Sequence, residues 1–522
     1  MSRRILGVLG VAAAALLMAT PVQAQKSKDT LRIVIQDMFG AIDPYNFPHD
    51  EAGSFYRTIY NNLIDFDEHN GVFVPSLAKA WKRIDNRTIE FDLRDDITFH
   101  NGDKFDADDV MTTLEWLRDE KTKIRFKDRY DWQNAEKLGQ YKVRIQAKEA
   151  FSTDLSGLAY RIKILDGKVM KSLANMGDYG RTNPIATGPY KVVDFDANRG
   201  LMLEAVANHW DKSGYSRAPA KRVHGIPIPD RQTSVAKFLA GEVDLLRNVE
   251  PETAKELGAM GYKALPTPAQ NLLYVTLDAA GRSKNKIMTD ERVRKAFIMA
   301  IPRDQIVKTF VPGGETAEQP PGICFKRTVA CAPGDKKVYE YNPAEAKKLL
   351  AEAGYANGVD LTLDVFQPSR QIAEALAGEL RKVGFRTTVN PMTLGVYVKR
   401  RGDGEFTAFV GYYPTAAQPD MANLLDFFFG ADRDYWKDPQ ITDIFNKGNL
   451  EFDLAKRTAL YTPALNIINE KAYIFPISEL PLLFVGNKDV KVLSNTVSTA
   501  ESRLGDYAWA DYKEVRPTPP KN

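Results

Sequence analysis

The chain has 522 residues, of which 44% are hydrophobic, 27% charged and 10% aromatic, the usage of an ordinary globular protein. Its 71 Lys and Arg residues stand against 68 Asp and Glu residues, and the formal net charge is +3. This near-balance excludes a broad basic surface for nucleic acid and a highly charged disordered chain, so we expect no nucleic-acid partner. The length predicts about two to four domains with a large core.

The first residues have the pattern of a secretory signal. Arg3 and Arg4 precede an uncharged apolar run at 5–19, and small residues at the end of the segment offer a cleavage site after Ala24. The apolar run is too short to span a bilayer comfortably. We therefore expect residues 1–24 to be removed and the rest of the chain to be exported.

The first half of the chain is predicted to mix strands and helices. A β-branched run at 31–35 predicts a buried strand, and segment 37–44, with its Gly and Pro, predicts a loop after it. Residues 88–93 alternate with period two, which is typical of a strand with one wet face. Asp106 predicts the N-cap of a helix that continues to about Arg118. We interpret the acidic residues around it as capping, because the calcium-loop spacing of an EF-hand is absent.

The second half of the chain predicts an α/β sheet. Gly354 and Gly384 each follow an apolar helical pattern and predict the ends of two helices. Strand, helix, strand, helix and strand alternate over 360–410, which favours this class. The predicted elements from the middle of the chain onward are helix 233–240, strand 243–246, strand 272–277, helix 290–301, helix 343–353, strand 361–366, helix 372–383 and strand 385–389.

Cys324 and Cys331 are the only cysteines in the sequence. In an exported chain so close a pair predicts a disulfide. A metal site is the alternative, and it needs more ligands. The five histidines show no HExxH spacing, and none lies near the cysteines in sequence. We therefore expect the disulfide and no metal ligand set.

Motifs of catalysis are mostly missing from the sequence. It contains no Gly-x-Ser-x-Gly elbow and no Walker phosphate loop. A pair of carboxylates acting on glycans would show itself only in three dimensions, and 68 acidic residues always offer such pairs. A secreted hydrolase that uses a carboxylate pair is therefore an alternative function.

Several segments together resemble one known family. Pro75-Ser-Leu-Ala-Lys-Ala-Trp81, the strand and turn at 89–102, and Phe105-Asp-Ala-Asp-Asp-Val110 are similar to the signature of family 5 extracellular solute-binding proteins. These proteins are the receptors of peptide- and nickel-type ABC importers. Four further segments match in the same order along the chain, namely 183–190, 238–244, 293–301 and 341–354.

The resemblance implies an α/β fold of two lobes joined by a hinge, as in periplasmic binding proteins. It also implies an extra subdomain on the N-terminal lobe. The predicted division of the chain is a signal peptide at 1–24, the first lobe at 25–64, 183–280 and 480–522, the extra subdomain at 65–182, and the second lobe at 281–479.

The resemblance further implies a periplasmic receptor without catalysis or cofactor. Such a monomer would close around a small ligand, which could be a peptide, an opine, a sugar conjugate or a related solute. It would then deliver the ligand to the permease subunits of an ABC importer in the inner membrane. Because nickel-type members exist, a receptor for a chelated metal is a second alternative. Sparse histidines argue against binding of a bare ion.

Two positions test the likeness to the peptide-binding members. Those members hold the α-amine of the ligand with an acid, and alignment on Pro419 puts Thr415 at that position. Threonine offers an ammonium no ionic partner, so a simple zwitterionic peptide is not the expected ligand. Dipeptide binders also use an arginine before the helix at 372–383. Arg370 is the candidate here, and a solvated helix residue is its alternative role.

Aromatic residues complete the predicted ligand site. Tyr412 and Tyr413 lie at the expected wall of the pocket, and Tyr435 and Trp436 are near in sequence. Tyrosine and tryptophan suit stacking on rings, although they are also common core residues. Met38 and Phe39, in the predicted loop at 37–44, are further candidates, and so is Asn271, which starts the predicted strand at the crossing between the lobes.

Overall fold

The computed structural model describes residues 29–36, 38–45, 50–67, 70–122, 124, 132–182, 184–267, 271–311, 313–315, 317, 319–324, 328–331, 333–414, 420–480, 482–493 and 504–513. Elements are numbered in chain order. The strands of this part are β1 Thr30–Ile35, β2 Ile64–Asp67, β3 Val72–Pro75, β4 Ala78–Arg83, β5 Thr88–Leu93, β6 Trp132–Gly139, β7 Lys142–Ala147, β8 Tyr190–Asp196, β9 Gly200–Ala205, β10 Arg222–Pro227, β11 Leu245–Leu246, β12 Lys263–Thr267, β13 Asn271–Leu277, β14 Val359–Phe366, β15 Phe385–Met392, β16 Ala408–Pro414, β17 Ile474–Glu479, β18 Leu482–Gly486, β19 Val490–Val492 and β20 Tyr507–Trp509.

The α-helices of the same part follow the same numbering. They are α1 Asp50–Ile59, α2 Ala107–Arg118, α3 Asp154–Tyr160, α4 Gly167–Ser172, α5 Tyr179–Thr182, α6 Arg231–Leu239, α7 Pro251–Ala259, α8 Glu291–Met299, α9 Arg303–Phe310, α10 Pro343–Glu352, α11 Arg370–Val383, α12 Leu394–Gly402, α13 Met421–Phe429, α14 Pro439–Gly448 and α15 Leu454–Glu470.

A seven-stranded sheet has the order β12-β18-β11-β1-β10-β9-β8. Its centre is parallel, because β1 runs in the same direction as β10 and β11. The apolar residues of β1 are buried, as expected for a strand covered on both faces. Arg32 of β1 donates through Nε and Nη2 to the two carboxylate oxygens of Asp244, each over 2.8 Å. Asp244 is fully buried and directly precedes β11, so this pair ties the neighbouring strands β1 and β11 together.

A five-stranded sheet has the order β15-β14-β16-β13-β17. Strand β14 is parallel to β15 and β16, while β13 is antiparallel to β16 and β17. Helix α11 packs on this sheet through its apolar stripe, and Gly384 ends it with φ +117°, a conformation that favours glycine. The strands and helices predicted between 343 and 389 are therefore confirmed, with bounds shifted by a few residues.

A four-stranded antiparallel sheet has the order β4-β5-β7-β6 and carries helix α2. Asp106 caps α2 by accepting from the backbone N–H of Asp108, and Asp109 accepts from the N–H of Asp106 over 2.9 Å. The acidic residues at this helix start thus do the capping that the sequence predicts. Two small antiparallel pairs, β2-β3 and β19-β20, complete the strands described.

The α/β fold class is confirmed, and the sheets show where the chain crosses between its two main layers. The seven-stranded sheet draws on strands from residues 30–267 and on β18. The predicted boundary at 280 leaves β13 with the first lobe, whereas β13 pairs with β16 and β17 in the five-stranded sheet. The crossing therefore precedes Asn271. The lobe and subdomain boundaries themselves stay predictions.

Cys324 and Cys331 are joined by a disulfide, with their Cα atoms 5.9 Å apart. Val329, between the two cysteines in sequence, lies against the start of α13, because the backbone N–H of Met421 donates to its carbonyl over 3.0 Å. Within the described residues, no helix has both the length and the apolar character that crossing a membrane would require.

Candidate functional site

Both main sheets present the carboxyl ends of parallel strands at one edge. In the seven-stranded sheet, β1, β10 and β11 end there. In the five-stranded sheet, β14, β15 and β16 end at the corresponding edge. Ligands of open α/β sheets bind at this edge, where strands end and loops begin.

The chain crosses between the sheets at these same two edges. Strand β12 runs in the direction of β11, since both are antiparallel to β18, and so it leaves its sheet at the carboxyl edge. Strand β13 begins opposite Pro414, the last residue of β16. The return crossing runs from Glu479 to Leu482. Crossings this short span at most about 15 Å, so the two edges lie together around them.

A hydrogen bond joins the two crossings. The backbone N–H of Leu480 donates to the carbonyl of Asn271 over 2.8 Å. Asn271, a predicted site residue, therefore lies at the junction between the sheets and is half-buried. Two short connections bound side by side are the arrangement of a hinge, which absorbs the rotation of one unit against another.

Tyr412 is the predicted aromatic residue that the structure places at the carboxyl edge with its ring half-buried. Its ring centroid is 5.6 Å from that of Phe366, the last residue of the neighbouring strand β14. The pair forms an aromatic surface at the edge of the five-stranded sheet. Such a surface suits contact with the ring or the apolar part of a solute.

Tyr413 lies on the other face of the same strand. Its side chain is buried, with its ring centroid 4.7 Å from that of Phe427. Successive residues of a strand point to opposite faces, so two adjacent tyrosines do not share one wall. The sequence does not indicate the pairing of Tyr412 with Phe366, because the two residues lie on different strands and are 46 positions apart.

Tyr435 and Trp436 are packed in the interior. The hydroxyl of Tyr435 donates to the carbonyl of Arg401 over 3.0 Å, and burial raises the pKa of Tyr435 to about 12. The indole Nε1 of Trp436 donates to the carbonyl of Tyr473 over 3.0 Å. Because both polar atoms have backbone partners, the two rings are held where they pack.

Met38 and Phe39, the candidates from the predicted loop of the first lobe, also differ in burial. Phe39 is buried, with ring centroids of Phe55 and Phe195 at 5.7 and 5.9 Å. Met38, directly before it, is half-buried and packs against the edge of the same core. Of this predicted pair, Met38 is the residue with surface left for a ligand.

Arg370 and Thr415 are the predicted site residues that align with ligand contacts of the peptide-binding members. Arg370 is the first residue of α11, its side chain is 55% exposed, and its Nε pairs with Glu374 over 2.7 Å. This arrangement matches the solvated helix residue that we gave as its alternative role. Thr415 lies outside the described residues.

Sequence reasoning missed one charged residue at the edge of the seven-stranded sheet. Arg247 directly follows β11, and only 5% of it is exposed. Its Nη2 donates to the hydroxyl of Ser54 over 2.8 Å. The sequence pattern that could have indicated Arg247 is a basic residue directly after a short apolar strand. Among the described residues, no cluster of three or more His, Cys, Asp or Glu side chains could hold a metal ion.

Comparison with known proteins agrees with this geometry. A family model described as bacterial extracellular solute-binding proteins, family 5 (middle), matches residues 72–436. The chain is 26% identical over 466 residues to di/tripeptide-binding protein 1 of Pseudomonas aeruginosa, covering 81% of this chain and 83% of that protein. It is 26% identical over 486 residues to the glutathione-binding protein GsiB of Pectobacterium atrosepticum, covering 88% and 90%.

A solved structure shows the same fold. NikA from Brucella suis, in complex with Fe(III)-EDTA, superposes with a TM-score of 0.77 at 22% identity, covering 92% of this chain and 99% of that one. The two-lobe architecture of a periplasmic binding protein is therefore confirmed for this chain. The family model covers more than half of the sequence and includes the sheet edge that carries Tyr412. The chain belongs to the bacterial extracellular solute-binding proteins of family 5.

Proposed function

We propose that this protein is a periplasmic receptor that encloses a small solute between its two carboxyl sheet edges and delivers it to the permease of an ABC importer. The observation that carries the proposal is the pair of short crossings, at Thr267 to Asn271 and at Glu479 to Leu482, which hold the two edges together. Membership of family 5 supports the transport role.

Closure follows from contact with both lobes. A solute shifts the balance between open and closed forms only if it binds the closed form more tightly. On the five-stranded sheet, the surface formed by Tyr412 and Phe366 offers apolar contact. On the seven-stranded sheet, Met38 follows β1 and Arg247 follows β11, so both come after strands that end at the carboxyl edge. A solute that touches both surfaces therefore favours the closed form, which a permease can recognise.

The proposed ligand is a peptide-like solute that needs no ionic contact to an α-amine. Relatives of this chain are named as di/tripeptide-binding and glutathione-binding proteins, which supports a small solute with amide groups. Thr415, at the aligned position of the amine-binding acid, gives an ammonium no charged partner. Opines, sugar conjugates and other solutes without a free α-amine fit this condition as well.

Two measurements test the proposal. Native mass spectrometry of protein purified from its own host should show a bound small molecule, and X-ray scattering should show compaction when that molecule is added back. In calorimetry, Tyr412→Ala should weaken its binding about twofold to tenfold, since aromatic contacts contribute about 0.5 to 1.5 kcal/mol. Tyr341→Ala is the matched control, because Tyr341 is 50% exposed and lies outside both edges.

Other outcomes would change the assignment. A scattering profile that stays the same with every extract fraction of the host would contradict a closing receptor. Turnover of a glycan by the pure protein, abolished by a single Asp or Glu substitution, would support a secreted hydrolase instead. A stoichiometric metal in protein purified without chelators would support the receptor for a chelated metal.

A further inference from the structure

Arg247 holds a charge at the centre of the first sheet edge. It follows β11, which lies between β18 and β1 in the seven-stranded sheet. The strand is parallel to β1, so Arg247 lies beside the carboxyl end of β1, near Gln36. This position belongs to the edge at which the chain crosses between the two lobes.

The guanidinium of Arg247 is buried with most of its donors unused. Nη2 donates to the hydroxyl of Ser54 over 2.8 Å, while Nε and Nη1 have no hydrogen-bond partner. The charged group lies over two rings, 5.9 Å from the centroid of Phe55 and 5.5 Å from that of Phe484. Ring contacts of this kind offset only part of the several kcal/mol that burying a cation costs.

Three other buried arginines of the described chain have their donors satisfied more fully. Arg457 pairs with Asp420 over 2.9 Å, and Arg57 pairs with Asp65 over 3.2 Å. Arg294 donates to three backbone carbonyls. None of the ion pairs found among the described residues involves Arg247, so its positive charge has no carboxylate partner there.

The surroundings of Arg247 suit a small anionic group. It lines a cavity of about 40 Å³ together with Gln36, Ser234 and Thr253, near the starts of helices α6 and α7. This volume is close to that of one or two waters and admits a small anionic head rather than a whole solute. The two other charged residues at the cavity, Arg231 and Glu250, pair with each other over 3.1 Å, which leaves Arg247 as the net charge.

The start of helix α7 adds partial positive charge next to that of Arg247. Glu250 is its N-cap residue, and the Glu250 side chain makes no capping hydrogen bond. Pro251, the first residue of α7, has no N–H, so the backbone N–H groups of the next two residues carry the partial positive charge that attracts anions. The buried guanidinium and the helix start therefore favour the same kind of ligand group.

We propose that Arg247 is the anion anchor of the binding site and receives a carboxylate of the bound solute. This inference rests on the proposed function and deepens it. It assigns the carboxylate of the solute to the first lobe, while the exposed and already paired Arg370 takes no part. The solute class is then a carboxylic acid, and a free amine is not required.

The test uses two probes that differ only in their charged end, N-acetyl-Ala-Ala and its C-terminal amide. Calorimetry on the wild-type protein should show that the acid binds about tenfold to a hundredfold more tightly than the amide, as a charge-assisted hydrogen bond predicts. Arg247→Met should bind both probes equally weakly. Arg370→Met is the matched control and should keep the wild-type preference.

A second variant separates binding from folding. Arg247→Lys keeps the charge but loses the planar fork, so it should retain a reduced preference for the acid. If Arg247→Met does not fold, Arg247→Lys becomes the deciding variant. A preference for the acid over the amide in Arg247→Lys that is as strong as in Arg370→Met would then overturn the anchor. Wild-type protein that binds the two probes alike, or neither, would also overturn it. Compaction of that same protein with host extract would show that the receptor function holds although the anchor fails.

Discussion

The hydroxyl of Ser156 donates to Oδ2 of Asp420 over 2.7 Å, across 264 positions of sequence. Ser156 lies in α3, within the predicted extra subdomain, and Asp420 caps α13, within the predicted second lobe. Arg457 of α15 donates to the same carboxylate oxygen over 2.9 Å and also to the carbonyl of Ser152. All of these groups are buried, so a polar network joins the two parts of the chain.

Removal of one partner from the buried ion pair between Arg457 and Asp420 should strongly destabilise the fold. Asp420→Asn keeps one side-chain oxygen that can accept from the N–H of Ala422 and cap α13, but it removes the carboxylate partner of the buried Arg457 guanidinium. We expect the free energy of unfolding in urea to fall by about 3 kcal/mol. Arg370→Gln, which breaks an exposed pair with Glu374, should change it by less than about 0.5 kcal/mol. Equal effects of the two substitutions would contradict the role of the buried network.

Gly188 should tolerate no side chain. A Cβ added there would lie 2.4 Å from the carbonyl oxygens of both Thr58 and Ile59, and backbone cannot yield as a side chain can. Gly188→Ala should therefore lower the free energy of unfolding by about 3 kcal/mol. Gly157→Ala is the control, because Gly157 lies inside α3 with nothing within 4 Å of the new Cβ. That substitution should raise stability by about 0.5 to 1 kcal/mol, and a loss in both variants would contradict this account.

His100 should make the fold less stable in weak acid. Burial lowers the pKa of its ring to about 4 from the ordinary value of 6.5, while Nε2 makes a hydrogen bond with the carbonyl of Gly188 over 2.9 Å. Between these two pKa values the unfolded chain binds the proton that the folded chain rejects, so stability falls as the pH falls from 6.5 to 4.

His100→Asn removes this titration. Urea unfolding at pH 7 and pH 5 should show a smaller loss for the variant than for the wild type, by about 1 to 3 kcal/mol. A pH dependence that is the same in both proteins would show that His100 is not the group responsible.

Asp109 should act in the opposite direction. Burial raises its pKa from 3.8 to about 6, although the backbone N–H groups of Asp106 and Gly167 lower it in part. The folded chain then holds a proton that the unfolded chain has lost, so the contribution of Asp109 is full below pH 3.8 and is lost as the pH rises through 6. NMR titration of the Asp109 carboxyl should give a midpoint near 6.

The variant Asp109→Asn checks the same assignment by stability. Relative to the wild type, it should gain about 2 kcal/mol between pH 4 and pH 7, because it carries no charge to bury. The change with pH is the quantity compared, since the amide also loses one of the two backbone hydrogen bonds at every pH. A difference that does not vary with pH would contradict the raised pKa.

Local features of the fold could be predicted from the sequence. The Asp106 cap and the Gly384 helix end depend on backbone groups only a few residues away, so short patterns indicate them. The strand 272–277 is indicated by its continuous apolar run, because both faces of a covered sheet select apolar residues. The strand 361–366 is indicated by apolar residues that alternate with polar ones. The helices α13, α14 and α15 were not predicted, although the apolar stripe of α14 is a pattern that indicates a helix.

The predicted aromatic site residues divide between the carboxyl edge and the interior. Tyr412 reaches the carboxyl edge as expected, whereas Tyr413 points to the opposite face, and Tyr435 and Trp436 have backbone partners in the interior. An aromatic residue in a sequence is equally suited to core and pocket, so its type alone does not decide between them. Which face of a strand meets the core decides, and that depends on the register of pairing.

The sequence by itself determined the family, the α/β class and the positions of caps and covered strands, because these depend on composition and on contacts between near neighbours. The tertiary structure alone decided that Arg247 is buried against Ser54, 193 positions away, and that Tyr412 meets Phe366 on an adjacent strand. Burial of a charge and exposure of a ring are set by which distant strands and helices pack together. No pattern within a short stretch of the chain carries that information.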